Sequence, residues 1–300
     1  YIRTVNTASP FFAQISYVQP HSPFSPPGEY LHRVSPERIP EPAGIEWIGD
    51  RSAPECFATS EGVRTEIPAD WREIRQHYFA DIVHLDVQLG IVLDRLEERG
   101  VLDDTCVIFL SDHGELLLDH GFTGKGERHY DACIRVPLVI TGPGMQNGER
   151  NESFVQHEDI FPTILEMAGI APPTARTMGP YLKETPEYLP GKSLIPLCRG
   201  EMTRNHRDEV YVESYNNIDS SSSSNWARTV RDSRWRYTYF PNDSGEQLFD
   251  LVADPDEQHN LAGDPACADE RNRLRDRLLN QVIMQDYPQT PRDLFALGVH

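Results

Sequence analysis

The sequence has few cysteines, and they lie far apart. Five occur in 300 residues, at positions 56, 106, 133, 198 and 267, and no two form a C-x-x-C pair. This spacing excludes a zinc knuckle and a dense disulfide framework. Cys106 lies in an apolar run, so we expect it to be a small buried hydrophobe.

Long apolar runs and positive charge are also scarce. No apolar stretch approaches the roughly 18 residues that span a bilayer, and the first residues do not resemble a signal peptide. There are 28 Lys and Arg against 47 Asp and Glu, a formal net charge of −19. Such a chain repels nucleic acid and anionic membranes, and an anionic substrate would need a local cation or metal ion. We expect no nucleic-acid partner and no membrane span, and leave compartment and oligomeric state open.

What is present is an alternation of strand-like and helix-like segments. Short apolar runs at 11–18, 106–110 and 136–140 predict buried strands, and apolar residues at helical spacing predict helices over 71–100 and 157–169. This alternation predicts an α/β fold with a mostly parallel sheet sandwiched by helices.

The pattern changes after about residue 205. Short alternating segments with turn residues between them predict a small antiparallel sheet, followed by a charged helix near 269–284. We therefore expect an α/β domain over residues 1–204 and a small α+β subdomain over 205–300. The Pro-rich, charged stretch 25–70 is predicted to be a long surface excursion.

Candidate functional residues follow the predicted strands. Asp112 and His113 come directly after the strand at 106–110, in Ser-Asp-His-Gly-Glu. A carboxylate beside an imidazole suits a divalent metal, although Asp-His-Gly is also a common turn. Lys125 lies between two glycines and His21 in a proline-stiffened loop, and either alone would suit a surface or structural role. In a parallel sheet strand ends meet at one edge, so we expect these four residues to converge.

This combination suits the cleavage of a tetrahedral anionic ester. A metal ion and Lys125 would hold the negative oxygens as charge moves during the reaction. His21 would protonate the leaving group.

Ordered motifs run along nearly the whole chain. They are Pro10-Phe11-Phe12 through Pro20-His21-Ser22-Pro23-Phe24, Asp86–Gly90, Ser111–Glu115, Asp119–Gly121, Gly124–Gly126, Ile134–Leu138 with Gly142–Gly144, His157–Thr163, Pro190–Leu194, Gln247–Leu251, Asp254-Pro255 and Asn260-Leu261. Together they resemble the later part of a sulfatase of the alkaline phosphatase superfamily, which includes phosphonate and phosphate ester hydrolases.

The resemblance implies a role for each candidate residue. Asp112 and His113 would be two ligands of a divalent metal, most often Ca²⁺, with Mn²⁺, Mg²⁺ and Zn²⁺ as other options. Lys125 would bind the sulfate or phosphate oxygens, and His21 would contact the ester and assist the leaving oxygen. The implied activity is hydrolysis of a sulfate ester, on a carbohydrate or a small molecule, by a formylglycine nucleophile.

One element of the family pattern is missing. The nucleophile of these enzymes lies in a Cys/Ser-x-Pro-x-Arg segment near the start of the domain, and no cysteine here fits it. We expect the formylglycine and the remaining metal carboxylates to lie upstream of Tyr1, and the isolated 300 residues to be inactive.

Two alternatives stay open. A phosphonate or phosphate ester hydrolase would use the same site, and a histidine at position 113 suits both branches. A non-catalytic relative that binds sulfated glycans would keep the fold alone, but it has no need of the set Asp112, His113 and Lys125. We expect specificity to come from 25–70 and from loops such as 174–190.

Overall fold

A computed structural model describes residues 1–44, 66–125, 128–171, 174–176, 184–186, 190–201, 206–215, 226–241 and 245–289. The chain divides into two compact units. Within the described ranges, the first unit comprises residues 1–44, 66–125 and 131–143, and the second comprises 128–130 and 144–289. The domain division expected at residue 204 stays a prediction. Cys56, part of the 25–70 excursion and most of 174–190 lie outside the described residues.

The first unit is built around one long helix. Its regular elements are α1 (Gly28–Leu31), a 3₁₀ turn (Pro36–Arg38), α2 (Trp71–Glu98), a 3₁₀ turn (Leu102–Asp104), β1 (Val107–Leu110), a 3₁₀ turn (Asp119–Gly121), α3 (Asp131–Ile134) and β2 (Leu138–Thr141). Helix α2 begins with Glu73 in its first turn and ends with Arg95 in its last, charges that suit the helix dipole. Gly100, at φ +65°, follows its end, as helical spacing predicts.

Strands β1 and β2 pair antiparallel, with Val107 opposite Thr141 and Leu110 opposite Leu138. The sequence predicts parallel neighbours, but every strand pair among the described residues is antiparallel. Parallel pairing requires a crossover connection. Here the chain returns from β1 to β2 through a loop and the short helix α3, so it enters β2 in the opposite direction.

Two other expectations for this unit are wrong. Residues 11–18 form no strand, and Phe12, Ile15 and Val18 are 68%, 48% and 77% exposed. A strand needs a neighbour for its backbone N–H and C=O groups, and no described strand pairs with this segment. Cys106 is exposed rather than buried because it precedes β1, in a two-stranded sheet whose faces stay partly open.

The second unit contains the predicted C-terminal sheet and helix. Strands β5 (Glu209–Tyr215), β6 (Trp226–Asp232), β7 (Trp235–Phe240) and β8 (Gly245–Asp250) form an antiparallel sheet in that order. Before them come a 3₁₀ turn (His157–Asp159), α4 (Ile160–Met167), the paired strands β3 (Thr174–Arg176) and β4 (Glu184–Pro186), and α5 (Ile195–Cys198). After the sheet come a 3₁₀ turn (Pro265–Cys267) and the long helix α6 (Ala268–Gln289).

The four-stranded sheet is covered on both faces. Alternate residues such as Val230, Tyr237 and Leu248 pack against Leu274 and Leu278 of α6 to form the core. The opposite residues carry polar groups that face residues 128–130, described below. Because both faces are covered, β7 is buried along nearly its whole length rather than on alternate residues. Among the described helices, none is long and apolar enough to cross a membrane.

Candidate active site

The candidate metal ligands lie just beyond the end of β1. The backbone N–H of His113 donates to Asp112 Oδ1 at 3.0 Å, and the Ser111 hydroxyl donates to the His113 carbonyl at 2.8 Å. The His113 ring nitrogen Nδ1 lies 2.8 Å from the Gly114 carbonyl oxygen. A carbonyl only accepts, so Nδ1 donates this hydrogen bond and Nε2 is left for another partner.

The second ring nitrogen of His113 lies near the Asp112 carboxylate. His113 Nε2 lies 3.6 Å from Asp112 Oδ2, beyond hydrogen-bond distance. Neighbouring ligands of a six-coordinate divalent ion, with bonds of about 2.0–2.5 Å, lie roughly 3–3.5 Å apart. The Asp112 side chain is 87% exposed and that of His113 is 36% exposed, so both atoms are accessible. The separation of the two atoms is therefore close to that between neighbouring ligands of such an ion.

The pair alone does not complete a metal site. Among the described residues, no group of three or more His, Cys, Asp or Glu side chains is gathered closely enough to hold a metal ion. A hard cation such as Ca²⁺ takes six to eight oxygen ligands. The described residues therefore hold no complete metal site, and the roles of Asp112 and His113 as metal ligands stay a prediction.

A glycine directly after the ligand pair fixes the path of the chain. The Gly114 N–H donates to the Cys133 carbonyl at 2.8 Å, which joins the ligand turn to α3. A Cβ atom at Gly114 would lie 1.9 Å from the backbone oxygen of Ala132. Only glycine permits this close approach, so α3 is packed directly against the turn that carries Asp112 and His113.

Lys125 follows a loop that is closed at its base. Glu115 Oε1 accepts the N–H groups of Leu117, at 3.1 Å, and of Gly124, and the Leu116 N–H donates to the Gly124 carbonyl at 3.0 Å. These bonds bring the residue before Lys125 back beside the residues that follow His113. Lys125 itself is partly buried. The loop thus connects the candidate metal ligands to the candidate anion-binding lysine.

The loop has unusual backbone geometry. Leu117, Leu118 and His120 have φ values of 48°, 78° and 55°, in the left-handed region that side chains other than glycine rarely occupy. Such residues cost about 1–3 kcal/mol each and persist where their surroundings over-determine them. Leu116 and Leu118 are completely buried, which supplies part of that constraint.

His21 is exposed, and among the described residues its hydrogen bonds are local. Its Nδ1 donates to the Ser22 carbonyl at 2.7 Å, and its backbone N–H donates to the Val18 carbonyl at 2.9 Å. The peptide bonds before Pro20 and Pro23 are both cis. His21 lies in the same compact unit as Asp112, His113 and Lys125. We predicted that His21 follows the end of a strand, but residues 11–18 form none. The position of His21 therefore has to be explained in another way.

Polar residues that follow Lys125 in the sequence have structural roles. The ring nitrogens of His129 lie 2.8 Å from Thr229 Oγ1 and 3.1 Å from Ser214 Oγ, on strands β6 and β5. Burial, and then the nearby Arg236 and Arg228, lower the pKa of His129 to about 3, so its ring stays neutral. Tyr130 accepts a hydrogen bond from Gln247 Nε2 at 3.2 Å.

Two matched motifs form one buried cluster in the second unit. Asp159 is fully buried, and its carboxylate accepts bonds from the Lys192 N–H at 2.7 Å, from His206 Nε2 at 3.2 Å and from Arg207. The Thr163 hydroxyl donates to the Asp159 carbonyl at 2.5 Å. The motifs at 157–163 and 190–194 therefore stabilise each other, a role that their sequences do not reveal.

Sequence reasoning missed the residues that hold the Lys125 loop. Arg75 of α2, Glu115 and Asp119 each make side-chain hydrogen bonds that hold it. Glu115 and Asp119 lie within matched motifs but carry no signal of their function. Arg75 has none, because its contacts are all distant in sequence.

Two family models match the chain. The model named Sulfatase covers residues 1–170, which include all four candidate site residues. The model described as N-sulphoglucosamine sulphohydrolase, C-terminal, covers residues 119–284. The chain belongs to the sulfatase family.

Named relatives include sulfatases and wider members of the alkaline phosphatase superfamily. The multifunctional alkaline phosphatase superfamily protein PehA of Trinickia caryophylli is 32% identical over an alignment of 286 positions, which covers 86% of this chain and 53% of PehA. An arylsulfatase of Clostridium perfringens is 30% identical over 287 residues, 94% of this chain and 55% of the relative. The chain spans about half the length of these relatives.

Solved structures confirm the predicted fold class. The crystal structure of a phosphonate monoester hydrolase of Agrobacterium radiobacter matches with a TM-score of 0.78 and 29% identity, over 93% of this chain and 58% of that one. The alkaline phosphatase-like α/β fold and the C-terminal antiparallel sheet with its helix are both confirmed.

Proposed function

We propose that this chain carries the metal-binding and anion-binding part of a sulfuric ester hydrolase that acts on a sulfated carbohydrate or small sulfate ester. The observation that carries the proposal is the ligand turn: His113 Nε2 and Asp112 Oδ2 lie 3.6 Å apart, accessible and joined by a closed loop to Lys125. Membership of the sulfatase family supports the reaction class.

Asp112 and His113 would hold a divalent cation, with Ca²⁺ as the first candidate and Mn²⁺, Mg²⁺ and Zn²⁺ as others. A bound cation would supply Lewis-acid stabilisation of negative oxygen. Carboxylates other than those described would complete the oxygen coordination shell that Ca²⁺ needs. The nucleophile would be a formylglycine, and the 300 residues contain no cysteine in a Cys-x-Pro-x-Arg segment that could supply it.

Lys125 and His21 would act on the two ends of the breaking bond. The Lys125 ammonium pairs with the non-bridging ester oxygens, where charge grows as the bond to the leaving group lengthens. His21 donates a proton to the leaving oxygen, which then departs as a neutral alcohol. In a chain with a net charge of −19, this local cation offsets the repulsion of an anionic substrate.

A second candidate function is hydrolysis of a phosphonate or phosphate ester at the same site. The specific observation that favours it is the match to a phosphonate monoester hydrolase, with a TM-score of 0.78. Both esters present a tetrahedral anionic centre, so the same two metal ligands, lysine and histidine would serve either ester.

Side-by-side assays on the full-length protein test both candidates. The substrates are 4-nitrophenyl sulfate, an alkyl sulfate and a phosphonate monoester, and the variants are His21→Ala and Lys125→Ala. His259→Ala is the control, since its side chain is 78% exposed in the second unit. We expect sulfate esters to be turned over fastest, and a phosphonate preference would favour the second candidate.

The leaving group distinguishes the roles of the two residues. General acid catalysis contributes about 10²–10⁴-fold, so His21→Ala is expected to slow the alkyl sulfate far more than the 4-nitrophenyl ester, whose leaving oxygen needs little protonation. Lys125→Ala is expected to slow both equally. Equal losses for both substrates in His21→Ala would refute the acid role, and no turnover of any ester by the unmodified protein would refute the function.

A further inference from the structure

We propose that Arg75 of α2 is a positioning residue for Lys125, which it holds in place by clamping the loop between the metal ligands and the lysine. The inference rests on the proposed function for its catalytic consequence. Its structural part concerns only the conformation of residues 115–124 and can be tested without the proposed function.

The guanidinium of Arg75 bonds three acceptors with three different nitrogens. Nε donates to the Leu117 carbonyl at 2.9 Å, Nη1 to the Pro40 carbonyl at 3.0 Å, and Nη2 to Asp119 Oδ1. The residue is 5% exposed. With its nitrogens directed to these partners and its side chain buried, Arg75 is placed to shape the loop rather than to touch a substrate.

The contacts of Arg75 are at the tip of the loop, and those of Glu115 are at its base. The tip is also joined to residue 43, since Asp119 Oδ1 accepts the Ala43 N–H at 2.7 Å and the His120 N–H donates to the Ala43 carbonyl at 3.2 Å. The base is closed by the bonds of Glu115 and Leu116 to Gly124. Lys125 is the next residue, so a shift of this loop moves the lysine.

The backbone of the loop needs such a clamp. Leu117, Leu118 and His120 are held at positive φ, from which an unrestrained chain relaxes. Arg75 binds the carbonyl of Leu117 and the side chain of Asp119, one on each side of Leu118. The geometry is therefore imposed from α2 at the point where the loop departs most from ordinary conformations.

The same helix also contacts the segment that carries His21. The ring of Tyr78, one turn beyond Arg75, meets the ring of Phe24 edge-on, with centroids 5.4 Å apart. Helix α2 thus supports both segments that we propose to contact the ester. If Lys125 were displaced, its ammonium would no longer be aligned with the substrate, while the segment that carries His21 would keep its contact with α2 through Tyr78.

A double-mutant cycle in the full-length protein tests the catalytic part. Arg75→Gln is expected to lower kcat/KM by about 10²-fold, the effect of a misplacement of about 1 Å. In a Lys125→Ala background the same change is expected to cost less than about threefold, because the group that it positions is gone. An equal loss in both backgrounds would overturn the proposal, since Arg75 would then act independently of Lys125.

Conservative and control variants separate geometry from charge. Arg75→Lys keeps the charge but reaches only one of the three acceptors, so we expect it to resemble Arg75→Gln. Full activity in Arg75→Lys would contradict the clamp. Arg72→Gln, on an exposed residue one turn earlier in the same helix, is expected to leave kcat/KM unchanged.

Amide hydrogen exchange tests the clamp without any activity. In Arg75→Gln, the amides of residues 116–124 are expected to exchange at least about tenfold faster, while those of β5–β8 stay unchanged. Asp119→Ala removes one of the three acceptors of Arg75, together with the acceptor of the Ala43 N–H, and leaves the bond to the Leu117 carbonyl. It is expected to give faster exchange in the same amides, and it serves if Arg75→Gln does not fold. Unchanged exchange at 116–124 in the folded variant would overturn the clamp, whereas faster exchange in a protein without esterase activity would overturn only the proposed function.

Discussion

Two histidines, one in each compact unit, have opposite polar surroundings. In the second unit, His129 is 3% exposed and both its ring nitrogens have hydroxyl partners. In the first unit, His113 uses one ring nitrogen for the Gly114 carbonyl and leaves the other beside an 87% exposed carboxylate. A buried polar group must be paired, whereas a ligand must keep an accessible atom. This difference separates the structural histidine from the candidate metal ligand, although the two are only sixteen positions apart.

The largest expected effect is the loss of metal binding and activity when Asp112 is changed. Asp112→Ala in the full-length protein removes a direct metal ligand, and outer partners alone are worth about 10–100-fold in metal affinity. We expect metal content and ester hydrolysis both to be lost. Elemental analysis and the esterase assay measure this, with Asp104→Ala on an exposed aspartate before β1 as the control. Unchanged metal content and activity would show that Asp112 is only a turn residue.

The buried region is expected to respond in stability rather than activity. Glu257→Gln removes the carboxylate that pairs with Arg236, whose side chain is fully buried. Breaking a buried ion pair from one side costs about 3–5 kcal/mol, because the remaining charge stays desolvated. Urea unfolding measures the loss.

The matched control is an exposed pair in the same unit. Glu270→Gln removes a partner of Arg273, where both side chains are about 40% exposed, and is expected to cost at most about 1 kcal/mol. If Glu257→Gln loses no more stability than Glu270→Gln, burial does not distinguish the two ion pairs.

His129 makes the same comparison sensitive to pH. Its pKa is lowered from 6.5 to about 3, first by burial and then by Arg236 and Arg228. Below pH 6.5 His129 therefore binds a proton in the unfolded chain but not in the folded chain. The contribution of His129 to the free energy of unfolding is fully present above pH 6.5 and is lost as the pH decreases toward 3. At pH 4.5 the expected cost is about 2–3 kcal/mol.

His129→Gln is expected to lose this component of acid sensitivity while it keeps groups that can bond the same hydroxyls. Urea unfolding at pH 7 and pH 4.5 gives the difference for each protein. If the variant and the unmodified protein lose the same free energy between these values, His129 is not held neutral.

The smallest expected effect concerns the turn itself. Gly114→Ala would place a Cβ 1.9 Å from the Ala132 oxygen and force α3 away, at a cost of about 1–3 kcal/mol. Gly90→Ala, where no atom lies within 4 Å of the added Cβ, is expected to raise stability by about 0.5–1 kcal/mol. Thermal unfolding compares the two. A stability loss in both variants, or in neither, would contradict the close packing at Gly114.

The sequence predicts elements whose signals are local. Helix α2, the turn after β1 and the four C-terminal strands lie where apolar periodicity and turn residues place them. The strand at 11–18 fails because an apolar run carries no information about whether a partner strand is present. The antiparallel direction of β2 depends on the path of the loop through α3, which no periodicity reveals.

The candidate site is predictable to the same extent. Asp112, His113, Lys125 and His21 stand in recognisable motifs, and their roles stay a prediction. Arg75 does not stand in one, because its function arises only when α2 packs against residues forty positions further along the chain. Contacts of that kind depend on the tertiary fold.

An anomalous difference map from a crystal of the full-length protein, soaked with Mn²⁺ and measured at the manganese absorption edge, tests the central claim most directly. We predict a peak within about 2.0–2.6 Å of both an Asp112 carboxylate oxygen and His113 Nε2, the distances of metal–ligand bonds. A peak bound elsewhere, with Asp112 and His113 free of metal, would contradict the assignment of this turn as part of the active site.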